Sequence, residues 1–323
     1  LTPDSIFLYW GKSPISVGDP ASVLQMAIDS GCLCVISNKP CAHPHTLLLP
    51  DTTDALEGTN RIREAYIKAS AYIRSLHKAK VITVTWSVGK TSTKEMIEAV
   101  LRQHYKTPLI SKGNNNSMFS ITRNIQSLKR TTNVYLQEVG AFAPKTIEYS
   151  ARQLAADIAV YTNIGVSHIE SYGSQEALTA DKLSLSTFGK PDGLAIINYD
   201  DPILMGHSFT QQVITYSLKN PQAMYYAKNI LRADDGYTFT LVDRAASMEH
   251  PAQIHMLGEH NILNAVVAFA VGKALKLPDE EILAGIASYH PSGMRQNLLQ
   301  AGKYRVFADC YNSSLLAVDN TLK

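Results

Sequence analysis

Little in this chain of 323 residues points to a covalent scaffold or to strong charge. Cysteine is scarce: Cys32, Cys34, Cys41 and Cys310 form neither a CxxC pair nor the paired spacing of a zinc site. That argues against a disulfide framework and reads as reduced thiols in a cytoplasmic protein. Net charge is only +2, so there is no basic footprint for nucleic acid or for an anionic membrane surface. No apolar run approaches the roughly 18 residues of a spanning helix. The N-terminus has no signal-peptide pattern, and no internal repeat or low-complexity tract is present. These absences leave a globular protein, 45% hydrophobic and 18% charged, long enough for two domains. No nucleic-acid partner and no membrane insertion are expected.

What is present is concentrated in residues 81–101, VITVTWSVGKTSTKEMIEAVL. A β-branched run, 81–85, feeds a short turn ending in Gly89-Lys90-Thr91. A helix follows with Met96, Ile97, Val100 and Leu101 on one face. Strand, G-K-[ST], helix is a geometry that holds a nucleotide triphosphate. Backbone N–H groups at the helix start face the phosphates, Lys90 reaches their oxygens, and the Thr91 hydroxyl ligates Mg²⁺. An ordinary strand-to-helix turn is the alternative.

The first 78 or so residues read as a small α/β unit. A helix is expected over 21–30, strands over 32–36 and 46–49, and a long amphipathic helix over 59–77. From Lys80 the pattern alternates strand and helix, as a parallel sheet with crossover helices requires. Strands are expected at 81–85, 134–137, 158–162, 194–198 and 213–216. A more antiparallel stretch at 223–230 and 237–242 follows, then helices at 260–275 and 279–288 and a strand at 304–308. The fold class is therefore α/β: a small N-terminal α/β domain, then a central P-loop ATPase domain whose mostly parallel sheet is flanked by helices.

Such sheets present function at the carboxyl ends of their strands. Glu138 follows one strand; Asn163 and His168 follow another, in TNIGVSHIESYGS; Lys182 lies a little further on. A carboxylate, an imidazole and the Thr91 hydroxyl suit one or two Mg²⁺ ions beside phosphates. Taken singly, each has a plainer role: Glu138 as a solvated loop acid, His168 as a structural histidine, Lys182 as a surface lysine and Asn163 as a turn former. At the later helix start, Asn261 and Asn264 could read an adenine edge, with helix capping the simpler role for Asn261. Arg295 suits a phosphate and Asp309 a ribose hydroxyl pair.

With these residues collected, the order resembles the Mur ligase family, ATP-dependent amide-bond-forming enzymes of peptidoglycan precursor synthesis. SVGKTSTKEM is similar to the family's phosphate loop, and 51–56 (DTTDAL) to the acidic, apolar stretch before its linking helix. Gly113-Asn114-Asn115-Asn116 resembles its G-N-x-N loop, Glu138-Val139-Gly140 its E-M-G, and LGEHNILNAVVA its adenine-side helix. TNIGVSHIESYGS is close to its T-N-I-G-x-x-H-x-E-x-x-G-S. The KEM extension favours the branch that adds D-alanyl-D-alanine to a UDP-N-acetylmuramoyl-tripeptide.

The resemblance implies roles residue by residue. Ser87, Val88, Gly89, Lys90, Thr91 and Ser92 would wrap the ATP phosphates. Thr91 and Glu138 would hold one Mg²⁺, and His168 a second. Lys182, carbamylated by CO₂, would help place that second metal. Lys90, Lys182 and His168 form the implied catalytic set. Asn261 and Asn264 would face adenine, Arg295 the phosphates and Asp309 the ribose. The implied reaction phosphorylates a peptide carboxylate to an acyl phosphate, which an incoming amine attacks. The implied substrates are a UDP-sugar peptide and an amino acid or dipeptide, and the implied state is a monomer.

The chain also departs from the family. Trp86 and Thr83 stand where the loop carries glycine, and Ser184 where a glutamate usually follows the modified lysine. Tyr311-Asn312-Ser313-Ser314-Leu315 matches only the start of the usual linker. The expected organisation is an N-terminal domain over 1–79 lacking its first strand, an ATP-binding domain over 80–311, and a linker start over 312–323 toward an absent C-terminal domain. Without that domain the chain is expected to be inactive alone. Another ligase of the family, extending for example a polyglutamate, and a degenerate nucleotide-binding protein without turnover are the alternatives.

Overall fold

The computed structural model describes residues 6–9, 20–37, 40–48, 61–85, 90–113, 115–165, 169–291 and 297–308. Two compact units divide the chain, residues 1–72 and 73–323. In the first, β1 (Ile6–Tyr9), β2 (Cys34–Ser37) and β3 (Thr46–Leu48) form a parallel sheet in that order. Parallel neighbours need a crossover, and α1 (Pro20–Asp29) supplies it between β1 and β2. Ala27, Cys32 and Val35 make the small core of this unit, with Phe7 and Leu24 against it. The expected helix and two strands are present within one or two residues; β1 is an addition. The helix α2 (Arg61–Ser75) leads out of this unit.

The second unit is built on a nine-stranded sheet. Its chain order is β4 (Lys80–Thr85), α3 (Lys90–His104), β5 (Leu109–Ile110), α4 (Met118–Gln126), β6 (Val134–Glu138), α5 (Thr146–Leu154) and β7 (Ile158–Tyr161). Then come α6 (Ile169–Tyr172), α7 (Gln175–Thr187), β8 (Leu194–Asn198), α8 (Pro202–Gly206) and β9 (Gln212–Ser217). The strands β10 (Tyr225–Ala233), β11 (Gly236–Asp243) and β12 (Met248–Ile254) follow, and then α9 (His260–Ala274) and α10 (Asp279–Ser288). A separate two-stranded hairpin, β13 (Asn297–Ala301) and β14 (Tyr304–Ala308), closes the described chain.

In space the strands run β12-β11-β10-β9-β8-β7-β4-β6-β5. From β5 to β10 every pairing is parallel, and β11 and β12 add an antiparallel edge. β4 is central and buried on both faces, which is why it reads as a β-branched run with no polar alternation. Its side chains part to two cores: Ile82 and Val84 join Met96, Ile97, Val100 and Leu101 of α3 and the apolar faces of α9 and α10. Val81 joins Tyr135 and residues of α4, α5 and α7 on the other face. This is the α/β class expected from the sequence, a mostly parallel sheet with helices on both sides. No helix among the described residues is long and apolar enough to cross a membrane.

The candidate site at the switch point of the sheet

The strand order reverses at β4. The chain goes from β4 outward to β5 and back to β6 on one side, then crosses to β7, β8 and β9 on the other. Open α/β sheets bind ligands in the crevice this reversal leaves at the carboxyl ends of the strands. Here those ends are aligned by register, Val84 opposite Glu138 and Thr85 opposite Tyr161. α3 starts at Lys90, shortly after β4 in the chain, and the first-turn N–H groups of a helix have no intrahelical acceptor and favour negative charge.

Thr91, in the first turn of α3, and Glu138, the last residue of β6, meet there: Thr91 Oγ1 lies 3.5 Å from Glu138 Oε2. Glu138 is 2% exposed, which removes its plainer reading as a solvated loop acid. A buried carboxylate must be hydrogen-bonded. Asn116 Nδ2 donates to Oε1 at 2.9 Å, and the Glu138 backbone N–H donates to Ser111 Oγ at 3.0 Å. Gly140 makes the Asn116 contact possible. A Cβ at that position would come within 2.9 Å of Asn116 Cγ and 2.7 Å of the Phe142 ring.

Lys182, 1% exposed, is not a surface lysine; its Nζ donates to Gly165 O at 3.5 Å. The preceding Asp181 fixes α7 in place. Its carboxylate accepts from the backbone N–H groups of Ile147 (3.3 Å) and Glu148 (2.9 Å), and from Tyr172 Oη at 2.6 Å. Burial and this carboxylate both push the Tyr172 phenol above its ordinary range. Asp181 thus caps α5, whose own N-cap residue, Lys145, has φ 68° and offers no side-chain cap. Ser184, where the resemblance implies a glutamate, is buried and donates to Asp181 O.

Asn261 does not cap its helix. It lies inside the first turn of α9, with Glu259 at the N-cap, and is wholly buried. Its Nδ2 donates back to Leu257 O at 2.7 Å, and its Oδ1 accepts from Asn264 Nδ2 at 3.1 Å. Asn264 Oδ1 in turn accepts from Thr93 Oγ1, tying α9 to the start of α3. Thr83 is placed within β4 and not in a loop; it is fully buried, and its Oγ1 donates to Ile158 O at 3.4 Å. A glycine there is not required by any turn.

Several expected site residues lie outside the described set: Trp86, Ser87, Val88, Gly89, Asn114, His168, Arg295 and Asp309, with the 51–56 stretch and the 311–315 linker start. Of Lys90 only its place at the head of α3 is described. Among the described residues no three His, Cys, Asp or Glu side chains converge as a metal cluster. Thr91 and Glu138 are both hard oxygen donors, turned toward one another at more than optimal hydrogen-bond length, and such donors suit Mg²⁺. Three residues that sequence reasoning did not place at the site are Lys94, Asn116 as a side-chain ligand of Glu138, and Asp181.

Together these features define an open α/β domain with an oxygen-rich site beneath a helix N-terminus at its switch point. The chain belongs to the Mur ligase family, whose middle-domain model matches residues 84–272. A UDP-N-acetylmuramoyl-tripeptide–D-alanyl-D-alanine ligase of Bacillus subtilis (strain 168) is 29% identical over 300 residues, covering 92% of this chain. The chain spans 62% of that relative's length. A crystal structure of MurF from Acinetobacter baumannii superposes with TM-score 0.83 at 24% identity, covering 99% of this chain and 69% of that one. The structure of MurF ligase from Thermotoga maritima in complex with ADP gives TM-score 0.83 at 18% identity, covering 100% and 71%. At such identities the structural likeness speaks to fold alone.

Proposed function

We propose that this chain is the nucleotide-binding part of an ATP-dependent amide-bond ligase of the MurF kind, joining D-alanyl-D-alanine to a UDP-N-acetylmuramoyl-tripeptide. The observation that carries the reading is the Thr91–Glu138 pair at the switch point, within a chain of this family. The expected setting is the cytoplasm and the expected state a monomer.

In this reading ATP lies with its phosphates at the head of α3, held by residues 87–90 and the N–H groups of the first turn. Thr91 and Glu138 would hold Mg²⁺, and His168 and Lys182, the latter as a carbamate, would hold a second ion. Bound there, Mg²⁺ supplies charge neutralisation for phosphoryl transfer. The chain's own residues do the positioning. Asn116 fixes the Glu138 carboxylate, Ser111 holds the Glu138 backbone N–H, and Asp181 fixes the helix that carries Lys182. A peptide carboxylate oxygen attacks the γ-phosphorus and ADP leaves. The incoming amine then adds to the acyl carbon, loses a proton, and phosphate leaves. By resemblance Asn264 and Asn261 would serve the adenine side, Asn261 as the buried support of Asn264, with Arg295 assigned to the phosphates and Asp309 to the ribose.

Calorimetric titration of Mg·ATP into the chain tests this. Saturable binding is expected, lost in Lys90→Ala and in Glu138→Gln weakened only when metal is present. Absent binding, or affinity unmoved by Lys90→Ala, overturns the reading. A parallel titration of Trp86→Gly shows whether the indole obstructs the loop: tighter binding by that variant marks it as an obstruction.

A further inference from the structure

The KEM segment, residues 94–96, has no role in the chemistry above. The structure gives its first residue an unusual environment. Lys94 is 2% exposed, and its ammonium donates to two main-chain carbonyls, Ser111 O at 2.9 Å and Gly113 O at 3.2 Å. Among the described residues no carboxylate comes within ion-pair distance of it. Burying a cation on neutral acceptors is costly, so such a group persists where it organises something.

What it organises is the segment just after β5. Both Lys94 acceptors belong to the stretch that runs from Ser111 to Asn116, with Gly113 turned into the left-handed region at φ 51°. From that stretch Ser111 Oγ accepts from the Glu138 N–H, and Asn116 Nδ2 donates to the Glu138 carboxylate. Asn116 O also accepts from Gly140 N, so the segment is laced to both sides of Glu138. The neighbours of Lys94 on α3 bind other elements: Thr91 meets β6, Thr93 meets Asn264 of α9, and Glu95 accepts from Tyr289 Oη at 3.0 Å. One turn and a half of helix thus ties four other parts of the second unit to the head of α3.

We propose that Lys94 is a positioning residue: by clamping the carbonyls of Ser111 and Gly113 it sets Asn116 and Ser111, and through them the carboxylate of Glu138, for a divalent cation. The inference rests on the proposed nucleotide–metal reading of the site. A lysine fits the task because its long stem reaches across the helix–segment gap and its three donors serve two carbonyls at once. Outer partners of metal ligands set affinity by about 10- to 100-fold.

The test is electron paramagnetic resonance titration of Mn²⁺ into the full chain saturated with ADP, beside calorimetric ADP affinity measured in chelator. Lys94→Met should raise the Mn²⁺ half-saturation about tenfold and leave metal-free ADP affinity within about twofold. Asn116→Ala should give a similar rise, and the double variant should be no worse than the larger single one, because both act through one path. Lys94→Arg, which keeps donors for both carbonyls, should recover much of the loss. If Lys94→Met does not fold, Lys94→Gln, a shorter donor, reads the same effect. Unchanged Mn²⁺ binding overturns the positioning role alone. An equal fall in metal-free ADP affinity assigns Lys94 to the phosphates and overturns it too, as do additive effects in the double variant. No Mn²⁺ site in the unaltered chain overturns the nucleotide–metal reading first, and this inference with it.

Discussion

Gly140 shows how a single missing methyl group shapes the site. The Asn116 amide reaches Glu138 only because nothing projects from Gly140 into its path. Gly140→Ala should therefore push Asn116 off the carboxylate and weaken divalent-cation binding about tenfold, with a modest loss of stability of about 1–2 kcal/mol. Manganese titration and chemical denaturation of the same variant check the two parts. At this scale the sequence was informative where a residue type coincided with a strand end or helix start. Thr91 and Glu138 were singled out that way and Lys182 a little further along the chain, and burial removes the plainer alternatives for the last two. Lys94, Asn116 and Asp181 were not assigned their roles, because they act on main-chain groups or on a side chain 17 to 34 residues away. Such pairings leave no local pattern.

Among the elements, α3 and α10 approach closely. They pack so tightly that a Cβ on Gly285 would lie 2.5 Å from Val100 Cα and 3.0 Å from Ala99 O. Those contacts are backbone and cannot turn aside. Gly285→Ala should separate the helices and cost about 1–3 kcal/mol, read as a lower urea midpoint with an unchanged slope. An unchanged midpoint would mean the helices are free to slide apart at no cost. Elements with a strong period were legible: β4 as a β-branched run, α9 and α10 as helices. β5 is too short to carry a pattern. β12 contains Pro251, which argues against a strand in a sequence, yet at the edge of the sheet a residue without an N–H costs no ladder bond on the open side. α5 lacks a start signal of its own because its cap comes from another helix.

For the second unit as a whole, an ion-pair cluster and the proposed site occupy opposite ends of the sheet. At the amino ends of β4 and β7, the Asp157 carboxylate, 7% exposed, gathers Lys190 (2.8 Å), Lys80 (3.2 Å) and Arg74 (3.5 Å), and accepts from Val81 N at 2.9 Å. Burial alone would raise its pKa. The hydrogen bonds from Lys190, Val81 and Lys80 and the charge of Lys190 outweigh that and hold it below the ordinary value. The group therefore stabilises the fold fully above its unfolded pKa, about 3.9, and loses that contribution as pH falls through its lower folded value. Asp157→Asn should destabilise the protein by about 2 kcal/mol at neutral pH, less than a fully buried pair because Lys80 is 61% exposed. The gap between variant and parent should close in acid, with nucleotide affinity unmoved; denaturation across pH 2–7 checks it. The capping of α5 by Asp181 carries a different consequence, for hydrogen exchange. First-turn amides of a helix have no intrahelical acceptor and ordinarily exchange with solvent deuterium at once. Those of Ile147 and Glu148 are held by a carboxylate more than thirty residues along the chain. Their deuterium uptake therefore reports the docking of α7, and with it the placement of Lys182, without any ligand being present.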